Sequence, residues 1–283
     1  MNILVLVGVL VVCIVNCFNS FAGYVPVQKV EAVEVQAVKV PVLMFHHFVM
    51  EEEECTNDAI ITKDKFEEVL DELDEMGYTT ISFDELIRYS EIGEELPEKP
   101  ILITMDDGYK SNYDIAYPML KERNMKALVS IIGRATQYTS TYLKNTSLPH
   151  VSWDELNEMI DSEVFEVGNH TYDLHKLKEY GGKRNGITKN FFESEADYSA
   201  VVREDIASLE ESLRVHCDYE NDVFCYPYGY YDKLSEATIS SLGYKVTLTT
   251  DEGINYIKPG DDLIGLKRIN VAMYTDIRDC LDE

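Results

Sequence analysis

Short apolar runs alternate with longer stretches of helical period from residue 40 onward. Val40–His46, Ile101–Met105, Ala127–Ile132, Val164–Val167, Val223–Tyr226 and Tyr244–Leu248 have strand length and are rich in β-branched and aromatic side chains, and Leu263–Leu266 reads as a last strand. Between them, residues 62–76 set Phe66, Val69, Leu70, Leu73 and Met76 on one helical face, and Gly77 follows where a left-handed C-terminal residue belongs. Ser82 to Glu85 and Ser152 to Glu155 are capping boxes, each opening a helix. Further helices are expected over 112–123, over 194–216 with Val201, Val202, Ile206, Leu209 and Leu213 inward, and over 233–242. Repeated strand–helix units predict a parallel sheet covered on both faces. Seven or so such units in about 240 residues favour a closed α/β barrel over an open sheet.

The first 39 residues break this pattern. Residues 3–15 are an uninterrupted apolar run, short for a membrane span and suited to the core of a signal peptide. Ser20-Phe21-Ala22 resembles a small-x-small cleavage site, although the run is preceded only by Met-Asn, without Lys or Arg. Cleaved, residues 1–22 are a leader; uncleaved, they are an anchor. In both cases the remainder is expected to be secreted or attached to the outer face of the membrane, meeting lipid only through this segment. Residues 23–39 are Val-rich and read as a stalk with room for one edge strand, and residues 40–283 as the folded domain. Cys55, Cys217, Cys225 and Cys280 are widely spaced, and sequence cannot pair them.

Charge narrows the partners. With 52 acidic against 25 basic residues the formal charge is −27. Nucleic acid and anionic membrane surfaces are disfavoured, because both are bound by neutralising phosphate with Lys and Arg. Neutral or cationic ligands are better suited.

The chemistry concentrates behind two strands. Asp106-Asp107-Gly108 closes the run Ile101–Met105, and two carboxylates at the mouth of a buried strand must find cations, protons or several donors. His170 and His175 follow the strand Val164–Val167. Five residues apart, they would lie about 140° apart on a regular helix, so the segment between them is expected to be an irregular loop. Two imidazoles and one carboxylate suit Zn²⁺, with Ni, Co, Mn or Fe as other fits, and the spare aspartate is then free to act as a base. His46 and His47 end the first strand, so that one of them can line the site; His150 and His216 read as structural or exposed. Asp106, Asp107, His170, Pro227 and Asp251 all fall just after expected strands, where barrels carry their chemistry.

These residues resemble a known family. Thr104-Met105-Asp106-Asp107-Gly108, Gly168-Asn169-His170-Thr171 with His175, and Tyr226-Pro227-Tyr228-Gly229 are similar, in order and spacing, to three motifs of the polysaccharide deacetylases, carbohydrate esterase family 4. The resemblance covers about residues 40–275. It implies a distorted (β/α)7-8 barrel, with Asp107, His170 and His175 as metal ligands and Asp106 as general base. It further implies that the Tyr228 N–H stabilises the oxyanion. The implied reaction is metal-dependent N-deacetylation of N-acetylglucosamine units in a cell-surface polysaccharide. Peptidoglycan, chitin or xylan are the alternative substrates, and a carbohydrate-binding pseudoenzyme is the alternative class. Pro227, Tyr231 and Asp251 are candidates for substrate contact. Tyr230 and Trp153 are suited equally to stacking on sugar and to packing on the barrel.

The chain also departs from the family. The histidine pair is one residue longer than usual, similar to the branch that deacetylates poly-β-1,6-N-acetylglucosamine. Cys225 stands where the family's third motif has an arginine that orients the base. No histidine follows residue 216, so the usual C-terminal general acid is missing. Asp106 is therefore expected to work without an orienting arginine or a helper acid.

Overall fold

The computed structural model of the protein describes residues 36–142 and 148–282. The leader and most of the stalk read from the sequence lie outside the described residues. In chain order the strands are β1 (Val38–Val40), β2 (Val42–Phe45), β3 (His47–Val49), β4 (Ile60–Thr62), β5 (Thr79–Thr80), β6 (Pro100–Met105), β7 (Ala127–Ile131), β8 (Phe165–Asn169), β9 (Val223–Cys225), β10 (Val246–Glu252), β11 (Asn255–Ile257) and β12 (Leu263–Asn270). The helices are α1 (Lys63–Glu75), α2 (Phe83–Ile92), α3 (Tyr117–Arg123), α4 (Gly133–Tyr142), α5 (Trp153–Asp161), α6 (Glu195–Cys217), α7 (Lys233–Ser240) and α8 (Ile277–Leu281).

Seven strands pair in parallel in the order β2-β12-β10-β9-β8-β7-β6, and β6 pairs back onto β2 through Val42↔Leu102 to Phe45↔Met105, closing a barrel. The barrel expected from the strand–helix repeat is thus present, with seven strands. It is distorted at β8–β9, which share only the pair Asn169↔Phe224. Because every barrel strand runs the same way, the residues just after them collect at one mouth.

Helices cover the outside where their apolar stripes predict. On α1, Phe66, Val69, Leu70 and Leu73 are buried; Thr62 caps its first turn and Gly77 leaves it at φ 75°. Both capping boxes form, Ser82 with Glu85 and Ser152 with Glu155. On α6 the buried face is Tyr198, Val202, Ile206, Leu209 and Leu213. Val201, read as inward, is exposed: adjacent helical residues diverge by about 100°, and Tyr198 takes the place one turn before Val202.

Two other differences have local causes. The first run breaks at Pro41, which has no N–H to give a ladder; β1 pairs antiparallel with β11 while β2 enters the barrel. Helix α4 is absent from the sequence reading because its residues are mostly polar, with only Gly133 and Thr136 buried.

Candidate active site

At the end of β6 the backbone turns through two left-handed residues, Asp107 (φ 71°) and Gly108 (φ 70°). Aspartate tolerates this conformation better than most residues, and at Gly108 a Cβ would meet Ile131 Cγ2 at 2.9 Å, so glycine is required. The turn sends the two carboxylates to different partners. Asp107 Oδ1 lies 3.0 Å from His175 Nε2 and 3.5 Å from His170 Nε2. Asp106 points into the barrel, where Arg268 grips both of its oxygens.

His170 follows β8 directly and is buried. Its Nδ1 is 2.9 Å from the Cys225 carbonyl, to which it can only donate, and its Nε2 faces Asp107 and His175. The segment from His170 to His175 is irregular, as its spacing requires. It is held by Asp205 of α6, which accepts from the Tyr172 and Asp173 N–H groups at 2.7 and 2.9 Å, and by Asn169 Oδ1, which accepts from the N–H of Thr171 at φ 74°. The His170 and His175 rings lie 4.7 Å apart, and the Tyr228 ring packs tilted against His175 at 4.3 Å.

These atoms fit a cation. The ligand atoms of Asp107, His170 and His175 all lie within 4.8 Å of one another, and Asp107 Oδ1 is buried without a hydrogen-bond partner. A buried carboxylate oxygen set between two imidazole nitrogens is a donor set that could hold a divalent metal. A second trio, Asp106, His170 and Cys225, is equally close. It does not fit a cation, because both Asp106 oxygens are already taken by a guanidinium.

That guanidinium corrects the expectation that Asp106 lacks an orienting arginine. Arg268, on β12, is 1% exposed and donates to Asp106 Oδ1 at 2.8 Å and Oδ2 at 2.7 Å. The cation enters from a different strand than the motif predicts. Burial pushes the Asp106 carboxyl up, and Arg268 more than offsets it, holding the group below the ordinary carboxylate range. The Cys225 thiol, fully buried, lies 3.4 and 3.3 Å from the same oxygens.

The two histidines after β2 divide. His47 turns away, its Nδ1 2.8 Å from Ser111 Oγ. His46 turns in, its Nε2 3.9 Å from Asp106 Oδ2 and its buried Nδ1 without a partner. Burial lowers the His46 pKa, against the opposing pull of Asp106 and Asp107.

Behind β9, the turn Pro227–Gly229 holds Tyr228 at φ 58°. The neighbouring N–H groups of Gly229 and Tyr230 are used, on Tyr226 O at 2.9 Å and Pro227 O at 3.1 Å, whereas the Tyr228 N–H makes no such bond among the described residues. Pro227 is buried beneath the turn. Tyr231 and Asp251 bond to each other, Oη to Oδ2 at 2.7 Å, rather than to the histidine cluster. Trp153 is buried, stacked on His216 at 4.8 Å with Nε1 on Gln137, and belongs to the packing. His150 lines a cavity of about 380 Å³ together with His175. A larger cavity of about 950 Å³ opens beside Arg268 and is walled by Glu52, Glu53, Asp58 and Glu252.

A seven-stranded parallel barrel with an Asp-His-His set that could hold a metal, and a separate, arginine-held carboxylate, makes this a (β/α) barrel with a candidate metal site. The chain matches the family model described as polysaccharide deacetylase over residues 93–247, more than half of its 283 residues, and it belongs to that family. It is similar to the poly-β-1,6-N-acetyl-D-glucosamine N-deacetylase of Escherichia coli K12, 24% identical over 204 residues, 64% of this chain and 30% of that protein. The enzyme of the same name from Staphylococcus epidermidis is 29% identical over 185 residues, 63% of this chain and 59% of the relative. The chain therefore spans less than two thirds of the length of either. Among solved structures, IcaB from Ammonifex degensii superposes with a TM-score of 0.67 at 26% identity, covering 83% of this chain and 92% of IcaB.

Proposed function

We propose that the protein is a metal-dependent hydrolase that removes acetyl groups from N-acetylglucosamine units of an extracellular or cell-surface polysaccharide. The observation that carries this reading is the parting of the two adjacent carboxylates. One lies against the Nε2 atoms of His170 and His175, and the other is gripped through both oxygens by Arg268 and kept ionised.

Asp107, His170 and His175 would hold the cation. When bound, a divalent metal there would acidify a water and polarise the acetamide oxygen. Asp106 is kept anionic by Arg268 and accepts the proton of the attacking water at Oδ2. His46 Nε2, 3.9 Å from that same oxygen, relays the proton toward the leaving amine nitrogen. This supplies, from the residue after β2, the acid that the histidine-free C-terminal region lacks. The uncommitted Tyr228 N–H is a donor for the oxyanion.

For the substrate, the poly-β-1,6-N-acetyl-D-glucosamine deacetylases among the relatives support an N-acetylglucosamine polymer. The acidic cavity beside Arg268 suits a neutral substrate and a cationic product. Action outside the cytoplasm rests on the apolar run at residues 3–15; among the described residues no helix is long and apolar enough to cross a membrane. A binding protein without turnover is less well supported, since the arginine missing from the third motif is replaced by Arg268. The test is acetate release by metal-loaded protein from β-1,6-N-acetylglucosamine oligomers, chitin oligomers, peptidoglycan and acetylated xylan. Release from the first set supports the proposal. Release from xylan alone redirects it to ester chemistry.

A further inference from the structure

Arg268 uses every hydrogen it has. Nε donates to Thr249 O at 2.7 Å; Nη1 donates to Thr104 Oγ1 at 3.2 Å and Asp106 Oδ1 at 2.8 Å; Nη2 donates to Asp106 Oδ2 at 2.7 Å and Cys225 Sγ at 3.3 Å. Five donors meet five acceptors, supplied by β10, β6, β9 and the residue that follows β6. Thr104 is free to accept because its own hydroxyl donates to Leu43 O at 2.7 Å on β2. A planar fork with all five bonds satisfied has one position, and the carboxylate bound to its two ends has one plane. The barrel is therefore built to fix Asp106, not merely to neutralise it.

Cys225 is the other half of this arrangement. It lies opposite Leu248 in the β9–β10 ladder and has no exposed surface. Its sulfur touches the guanidinium and both oxygens of Asp106. An arginine at 225 would contend with Arg268 for the same carboxylate in the same closed interior, adding a second buried cation without a second anion. A small side chain at 225 is the condition for admitting Arg268, and vacating 268 is the condition for an arginine at 225.

We propose that residues 225 and 268 form a single exchangeable slot, in which Arg268 is the positioning residue for Asp106 and Cys225 is the small partner that admits it. This rests on the reading of Asp106 as the base. The metal-loaded full-length protein, with bound metal counted, is assayed for kcat and KM on an N-acetylglucosamine oligomer. Arg268→Ala is expected to lower kcat about 100-fold, within the range for general-base catalysis, with KM changed less than about threefold and metal stoichiometry kept. The double variant Cys225→Arg/Arg268→Ala is expected to recover at least about tenfold of that loss, because the guanidinium returns by the other route. Cys225→Arg alone is expected to be worse than wild type. The proposal is overturned if Arg268→Ala keeps kcat within about threefold of wild type, or if the double variant, folded and metal-loaded, is no better than Arg268→Ala. Should Arg268→Ala fail to fold, an active double variant supports the slot and a folded, inactive one overturns it. Asp106→Asn separates the two readings: if it retains wild-type acetate release, the base assignment fails, whatever Arg268 does.

Discussion

Asp106 and Asp107 are neighbours in the chain and bond different groups: Asp107 Oδ1 lies within 3.5 Å of two histidine nitrogens, while Asp106 is held by Arg268 at 2.7 and 2.8 Å. The left-handed turn at Asp107 and Gly108 makes this division. The two aspartates should therefore fail differently. Asp107→Asn and His170→Ala are expected to lose stoichiometric zinc in elemental analysis of the dialysed protein, and activity with it. Asp106→Asn is expected to keep its zinc and lose about 10²–10⁴-fold in kcat. Equal metal loss in all three would remove the division of roles.

His46 is the imidazole nearest Asp106, at 3.9 Å. His46→Phe is expected to lower kcat for N-acetylglucosamine oligomers by about 10²-fold or more, and to affect an activated ester with a good leaving group far less, because only the amine needs a proton. A parallel fall on both substrates would assign His46 to positioning instead.

The Asp106–Arg268 pair makes a directional prediction about acid stability. Its folded pKa lies below the ordinary value of about 3.9, so the pair's contribution is fully present above that pH and is lost as pH falls toward the folded value. The gap in urea midpoint between wild type and Asp106→Asn is expected to be constant from pH 7 to 5 and to shrink below about pH 4. A gap independent of pH down to 3 would show that the carboxylate is not stabilised as described.

Gly229 adjoins the Tyr228 N–H at φ 68°, and a Cβ there would overlap Thr250 Oγ1. Gly229→Ala is expected to shift the turn, lower kcat by about tenfold or more, and leave the Asp107-His170-His175 metal content unchanged. Unchanged kcat would argue against an oxyanion donor at this turn.

Much of the barrel was legible because its signals are local. Apolar runs of strand length, two capping boxes and the stripe of α1 each appear within a few residues of sequence; both boxes and most of the stripe are present, and the first run alone is split, at Pro41. The histidine pair announced its irregular loop through a spacing no helix can reconcile. What stayed hidden was of two kinds. Helix α4 has no apolar stripe to read. Arg268 lies 162 residues from Asp106, so nothing in the spacing links them, and it falls beyond the expected last strand Leu263–Leu266, which in the structure runs on to Asn270. A clue was available: a motif that loses a buried cation beside a buried carboxylate must regain one elsewhere, and the Arg nearest a late strand's C-terminal end was the place to look. The separation of His46 from His47 was similarly out of reach, since it depends on Ser111 capturing one ring.

The most direct test is to count acetate and free amine released from a β-1,6-N-acetylglucosamine oligomer by the full-length protein before chelation, after chelation, and after zinc is restored. The expected result is one amine per acetate, lost on chelation and regained with zinc. Binding of the oligomer without release of either product, in protein shown to carry its metal, would contradict the account.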